Sequence, residues 1–314
     1  MSTPAQVGSR AVEAPGRAGR AARPPKEAVA RALLARDPRL AYALSLLIAA
    51  LVAAVSSVGL VMGSAVPSGP DPAAGYGIRT STAGVVVPGF LAHDGFNLTV
   101  ALPLLLVLPL LARRGSFLGL LLWPGALFYA LYTYVGYLVG APFGPLFLPH
   151  AALVALSGVA AIDLLTAIDG ERIRGYLGMA LPARAIGGLL VGLGLMTLGQ
   201  DGGGALAVAL AGTAEPISRH VWVADLAFEV PATVVGGLML WGRRPVGYAV
   251  GAGLLFQFAL TPLALAAIAA LQPILTGSAA DWGSVVGLLA FAGISLTPLW
   301  WFARGRAARR EEQG

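Results

Sequence analysis

Asp225 and Glu229 stand four residues apart inside a long apolar run of this chain. Ionisable groups are expensive in hydrocarbon, so those retained in such a run are candidates for function. Residues four apart share a helix face. Two ionised carboxylates that close in a low dielectric repel unless a proton, a cation or a basic group joins them. The pair can therefore hold a proton or coordinate a metal or alkali ion. At about 1.5 Å per residue, the two carboxylates lie roughly 5 and 10 Å below the outer end of their helix.

Companions are expected at the same level. His150 begins one neighbouring run, Asn97 begins another, and Tyr129, Tyr132, Thr133 and Tyr137 lie along one arc of a third. Asp163 is a second candidate, about 9 Å above the inner end of its own run. Plainer readings stand beside these. Tyr134 and Tyr137 suit an interfacial aromatic belt, and His150, after Pro149, suits a wet interfacial histidine. Asp225 suits a carboxylate favoured by a helix N-terminus, and Asp163 suits a snorkelling pair with Arg172 or Arg174. Glu229 carries the functional expectation furthest. It is the deeper of the two, and Pro231 after it frees a backbone carbonyl one turn earlier.

The elements that must position these groups follow from composition. A chain of 314 residues that is 57% hydrophobic and 11% charged, with a mean hydropathy of +0.78, lies outside the range of soluble domains. Its apolar residues fall into runs of about twenty, the length that crosses a hydrocarbon core as helix. The expected fold is an all-α, polytopic transmembrane bundle. We read eight spans, at Ala41–Met62, Gly95–Ala112, Phe117–Val139, Phe147–Ile168, Ala185–Leu198, Val221–Trp241, Val246–Leu271 and Gly283–Phe302. The stretch Ala205–Ala211 is either a continuation of the fifth or an interfacial piece.

Residues 1–39, rich in Ala, Arg, Pro and Gly, read as a disordered basic cytoplasmic tail, 40–303 as the transmembrane domain and 304–314 as a short second tail. The first apolar run is too long and too far from the start for a secretory signal, so it is expected to stay as an anchor. With the N-terminus in the cytoplasm, nineteen of the 21 Lys and Arg fall on the cytoplasmic side, leaving Arg79 and Arg219 outside. Both termini are then cytoplasmic, and the expected location is the cell membrane. Tryptophan agrees: Trp222 and Trp282 fall at outer ends, Trp241, Trp300 and Trp301 at inner ends, and Trp123 inside a span.

The two halves, 41–169 and 185–303, resemble each other and form a candidate 4+4 parallel repeat. At an offset of 128, Pro103 meets Pro231, Leu127–Phe128 meets Leu255–Phe256, Thr133 meets Thr261 and Asn97 meets Asp225, while the Arg pairs need a shift of two. Glycine pairs such as Gly115/Gly119, Gly136/Gly140, Gly188/Gly192 and Gly247/Gly251 fit close helix packing.

Absences narrow the chemistry. Without cysteine there is no disulfide, thiolate metal site or thiol nucleophile. With one lysine there is no P-loop, and neither His-Glu-x-x-His nor Gly-x-Ser-x-Gly occurs. No cofactor and no resident metal is expected. The net charge of +6 is explained by membrane orientation rather than nucleic acid, so the expected partners are the bilayer and a small-molecule or ion substrate.

Two runs carry a resemblance. ALPLLLVLPLLARRGSFLGLLLWPGALFYALYTYVGYLVGAPFGPLFLPHAALVALS, from Ala101 to Ser157, and DLAFEVPATVVGGLMLWGRRPVGYAV, from Asp225 to Val250, resemble a group of uncharacterised polytopic membrane proteins of bacteria and archaea. The resemblance implies an integral membrane protein and carries over no reaction, ligand or functional residue. Three functions remain open: a small-molecule or ion carrier using membrane-embedded carboxylates, an intramembrane enzyme with an outward-facing carboxylate and histidine site, and a non-catalytic membrane scaffold.

Overall fold

A computed structural model of the chain describes residues 29–64, 83–141, 143–212, 219–277, 279 and 281–304. The expected tails at 1–28 and 305–314 lie outside the described residues. Eight helical stretches are long and apolar enough to cross a membrane: Arg39–Met62, Gly89–Arg113, Phe117–Gly140, Phe147–Ala167, Ala183–Ala211, Arg219–Trp241, Pro245–Leu271 and Trp282–Arg304. The regular structure of the described residues is entirely helical, and the eight spans point to a multi-pass membrane protein.

The helices are α1 (Val29–Ala32), α2 (Arg39–Ser64), α3 (Ala83–Phe96), α4 (Leu102–Arg113), α5 (Phe117–Gly140), α6 (Phe147–Ala167) and α7 (Gly170–Leu177) in the first half. In the second half they are α8 (Ala183–Thr197), α9 (Gly203–Ala211), α10 (Arg219–Ala224), α11 (Val230–Trp241), α12 (Pro245–Thr276) and α13 (Trp282–Leu296). Three π-helical turns, Asn97–Ala101, Leu198–Gly202 and Asp225–Glu229, join α3 to α4, α8 to α9 and α10 to α11. The fifth span therefore continues to Ala211. Gln200 and Asp201 interrupt its hydropathy without ending its helix.

The α5 span is the centre of the bundle: 78% of it is buried, against 28–50% for the others. It crosses α12 at Gly125 and Gly253, where a Cβ on Gly125 would strike the Gly253 carbonyl oxygen, so two backbones meet directly. Trp123, unusual in mid-span, is fully buried. Its indole donates to Ser45 Oγ at 2.9 Å, which matches the one polar atom that burial would strand.

The hairpins α4–α5 and α11–α12 are closed by the same bonds 128 residues apart. Gly115 and Ser116 amides donate to Ala112 and Leu111 carbonyls at 3.0 and 2.9 Å, and Arg243 and Arg244 amides donate to Leu240 and Met239 carbonyls at 2.9 and 2.8 Å. Gly115 has φ 86° and Arg243 φ 54°. Arg243 thus adopts a left-handed conformation that costs a non-glycine residue about 1–2 kcal/mol. Just beyond each turn, Gly119 and Gly247 leave room for the backbone of the preceding helix.

Residues 29–38, expected as the end of the tail, form a strap tied to the corner between α6 and α7. The Ala35 amide donates to Ala167 O at 2.8 Å and the Asp169 amide to Leu33 O at 2.9 Å. Ala30 and Leu33 of the strap are buried. Asp163 is a clamp for this strap. Arg36 Nη2 donates to Asp163 Oδ1 at 2.7 Å, and the Ala41 amide donates to Asp163 Oδ2 at 2.9 Å. The expected pairing of Asp163 with Arg172 or Arg174 does not form, because those arginines face Asp169 and Glu171 on α7, at 2.8 and 2.7 Å.

Candidate functional site

Proline sets the geometry around the two carboxylates. Pro231 lacks an N–H, and its ring crowds the carbonyl four residues back. Just before it the backbone widens into the π turn Asp225–Glu229, closed by the Val230 amide on Asp225 O. Asn97–Ala101 does the same before Pro103, with the Leu102 amide on Asn97 O. Such turns inside α-helices are uncommon and concentrate at functional sites.

Asp225 and Glu229, 5% and 3% exposed, line a cavity of about 500 Å³ with Asp201, Gln200, Tyr132, Thr261 and Ser284. Its apolar wall is Met196, Phe258, Leu265, Leu288 and Phe291. Among the described residues, no Lys, Arg or His lines it. Glu229 Oε2 accepts from Gln257 Nε2 at 2.6 Å and from Thr261 Oγ1 at 3.4 Å. Tyr132 and Asp201 are within hydrogen-bonding reach of the Asp225 carboxyl, yet Asp225 Oδ1 is buried with no partner. A buried carboxylate oxygen left unmatched is costly. Three carboxyl groups around one space, with no basic residue lining it, can share protons or receive a cation.

A second buried cluster adjoins the first. Tyr137 Oη lies 2.9 Å from Asp94 Oδ1 and donates to it, with Phe90 O at 3.2 Å. His93 Nε2 lies 3.2 Å from Tyr129 Oη. The His150 ring stacks on Tyr134 at 5.6 Å and meets Tyr137 at 5.0 Å, and the His220 ring lies 5.7 Å from Phe90. All three histidines of the chain thus gather around Phe90 and Tyr137. A cavity of about 80 Å³ lies here, lined by His93, Tyr129, Thr133, Tyr137 and His220. Tyr132 and Thr261 border both cavities.

The residues singled out in the sequence therefore divide. Asp225, Glu229 and Tyr132 line the acidic cavity. Tyr129 and Thr133 line the smaller one, and His150 belongs with Asp94 and Tyr137 rather than with the carboxylate pair. Asn97 is 1% exposed, and neither atom of its amide has a partner. Asp163 lies apart, in the strap clamp. Among the described residues, no three His, Asp or Glu are arranged to hold a metal ion.

Asp94, Asp201 and Gln257 are among the site residues not singled out in the sequence. Asp94 lies one position before the expected start of the second span, so a one-residue boundary placed it in a loop. Asp201 sat in what read as a break after the fifth span. Gln257, in the middle of an apolar run, offered the same signal as Glu229 and bears directly on it.

Comparison with protein-family models, with curated proteins and with solved structures gave no match.

Proposed function

We propose that the protein is a membrane carrier for a small cationic solute, with Asp225 and Glu229 as its charge-binding groups. One observation carries this reading: a cavity of about 500 Å³ bounded by three carboxylates, with no basic lining residue among the described residues and an unmatched Asp225 oxygen. Glu229 is held in place by Gln257 and Thr261, while Asp225 lines the cavity beside it and keeps one buried oxygen unmatched. Solute and proton then compete for the same carboxyl groups, which is one way to couple their movements. Pro231 and the π turn beside it supply the broken helix that carriers use at such sites.

The orientation proposed places both termini and the arginine-rich loops in the cytoplasm, since nineteen of 21 basic residues then fall there. It puts the acidic cavity in the outer half of the bilayer. A 4+4 parallel duplication is proposed with it. Supporting it are the matched hairpin bonds, the π turns before Pro103 and Pro231 and the contact of Gly125 with Gly253, all at an offset of 128. In this scheme Asn97 and Ala101 are the uncharged counterparts of Asp225 and Glu229, so each chain carries one acidic site.

The intramembrane-enzyme alternative needs His150 beside the carboxylates, and its ring stacks on tyrosines of the other cluster. The test of the carrier reading is uptake into proteoliposomes across a panel of inorganic and organic cations, with and without a pH gradient. Wild type is expected to transport at least one cation, and Glu229→Gln to abolish the coupled flux at unchanged melting temperature. Identical fluxes in the two proteins would rule out the role assigned to Glu229.

A further inference from the structure

The acidic cavity lies where the two halves differ. In the first half α2 packs along α6 and closes the unit. In the second half α8 packs along α11 instead and leaves α13, so that α8 and α13 border a gap. The acidic cavity occupies one end of this gap, with Met196 and Thr197 on α8 and Ser284, Gly287, Leu288 and Phe291 on α13. A second cavity of about 430 Å³ occupies the other end, between Ile186 and Leu189 on α8 and Ile294, Pro298 and Trp301 beyond. Met196, Ile294 and Trp301 are exposed on the outside of the bundle. Gly287 leaves the gap open, as a Cβ there would meet nothing within 4 Å.

From this arrangement we infer that the gap between α8 and α13 is a lateral portal, and that its ligand is a hydrophobic organic cation that enters from the lipid and places its charge against Asp225. The inference rests on the carboxylate site proposed above and names its ligand class. Volume suits a larger ligand than a bare ion, since about 500 Å³ is the size of pockets that hold whole organic molecules. The walls are divided as such a ligand requires. Asp201, Asp225 and Glu229 stand on one side, and Phe258, Phe291, Leu265 and Leu288 on the other. The rings of Phe258 and Phe291 suit both an apolar body and a cation. Asp225 lines this acidic side and keeps a buried oxygen without a partner, which favours a positive charge beside it. The apolar cavity at the other end of the gap extends the route along the lipid-facing side.

Binding affinity and association rate on the full-length protein in lipid nanodiscs test this, with three probes: tetraphenylphosphonium, tetramethylammonium and the uncharged triphenylphosphine oxide. Tetraphenylphosphonium is expected to bind tightest. Asp225→Asn should weaken it about tenfold or more through loss of the counter-charge. Gly287→Leu, at a position where a Cβ would meet nothing within 4 Å, should slow tetraphenylphosphonium association about tenfold at unchanged melting temperature. Tetramethylammonium binding as tightly as tetraphenylphosphonium, with no effect of Gly287→Leu, would overturn the portal and leave the carrier reading standing. Equal binding of the uncharged probe, unaffected by Asp225→Asn, would overturn the charge assignment and the carrier reading with it. Efficient disulfide formation between two chains carrying Met196→Cys and Ile294→Cys would show a second copy seated over the gap, and would also overturn the portal.

Discussion

Asp225 and Glu229 sit on one π turn, but their oxygens are matched differently. Glu229 Oε2 accepts at 2.6 Å from Gln257, which is fully buried, whereas Asp225 keeps Oδ1 unpartnered. A fixed carboxylate beside a free one is what a site needs to orient a charged ligand and then release it. Asp163 shows the opposite use of the same residue type. Its side chain is 11% exposed and takes Arg36 at 2.7 Å together with the Ala41 amide. Asp163→Asn is expected to cost about 1–2 kcal/mol and to open the strap to trypsin at Arg31 and Arg36, with cation flux unchanged. Loss of flux without strap cleavage would contradict this assignment. The Asp225 and Glu229 pair was legible because a charge deep in an apolar run is conspicuous. The clamp was not, because Arg36 lies 127 residues from Asp163 and two nearer arginines offered themselves. Asp94 was missed because hydropathy places a span end only to within a few residues.

At the scale of elements, proline and glycine determine most of what the site depends on. Pro231 opens the π turn that puts Asp225 and Glu229 toward one cavity, and Pro103 opens its counterpart at Asn97. Pro231→Ala restores a backbone donor and lets the helix return to α register. One residue of register is about 100° of rotation, so cation flux should fall at least tenfold while the melting temperature holds or rises. Unchanged flux in Pro231→Ala would show that packing, not proline, maintains the turn. All eight spans were legible from run length, because hydrocarbon thickness sets a minimum that chance runs seldom meet. The continuation through Leu198–Gly202 was ambiguous in the sequence because hydropathy registers the polarity of Gln200 and Asp201, whereas helix continuity depends on backbone bonding. The α8–α13 gap left no mark in the sequence, since it reflects which neighbour α8 chooses.

For the whole molecule, orientation and duplication are proposals that labelling can test. The chain has no cysteine, so single cysteines need no background removed. With an impermeant maleimide on intact cells, Ala279→Cys is expected to react and Arg114→Cys to react only after permeabilisation. The reverse pattern would overturn the proposed topology and move the acidic cavity to the inner half of the bilayer. The two halves share hairpin bonds, π turns and a central glycine contact at one offset, yet the acidic cavity and the open edge belong to the second half. Function is thereby assigned to one half, with the other as its closed frame.

The central claim, that Asp225 and Glu229 bind a cation as it crosses the membrane, is tested most directly by currents on a solid-supported membrane. Proteoliposomes would receive concentration jumps of tetraphenylphosphonium and of smaller organic and inorganic cations. The account predicts a saturable charge displacement in wild type for at least one cation, lost in Asp225→Asn and in Glu229→Gln at unchanged melting temperature. A displacement of equal size and affinity in the double variant would contradict it.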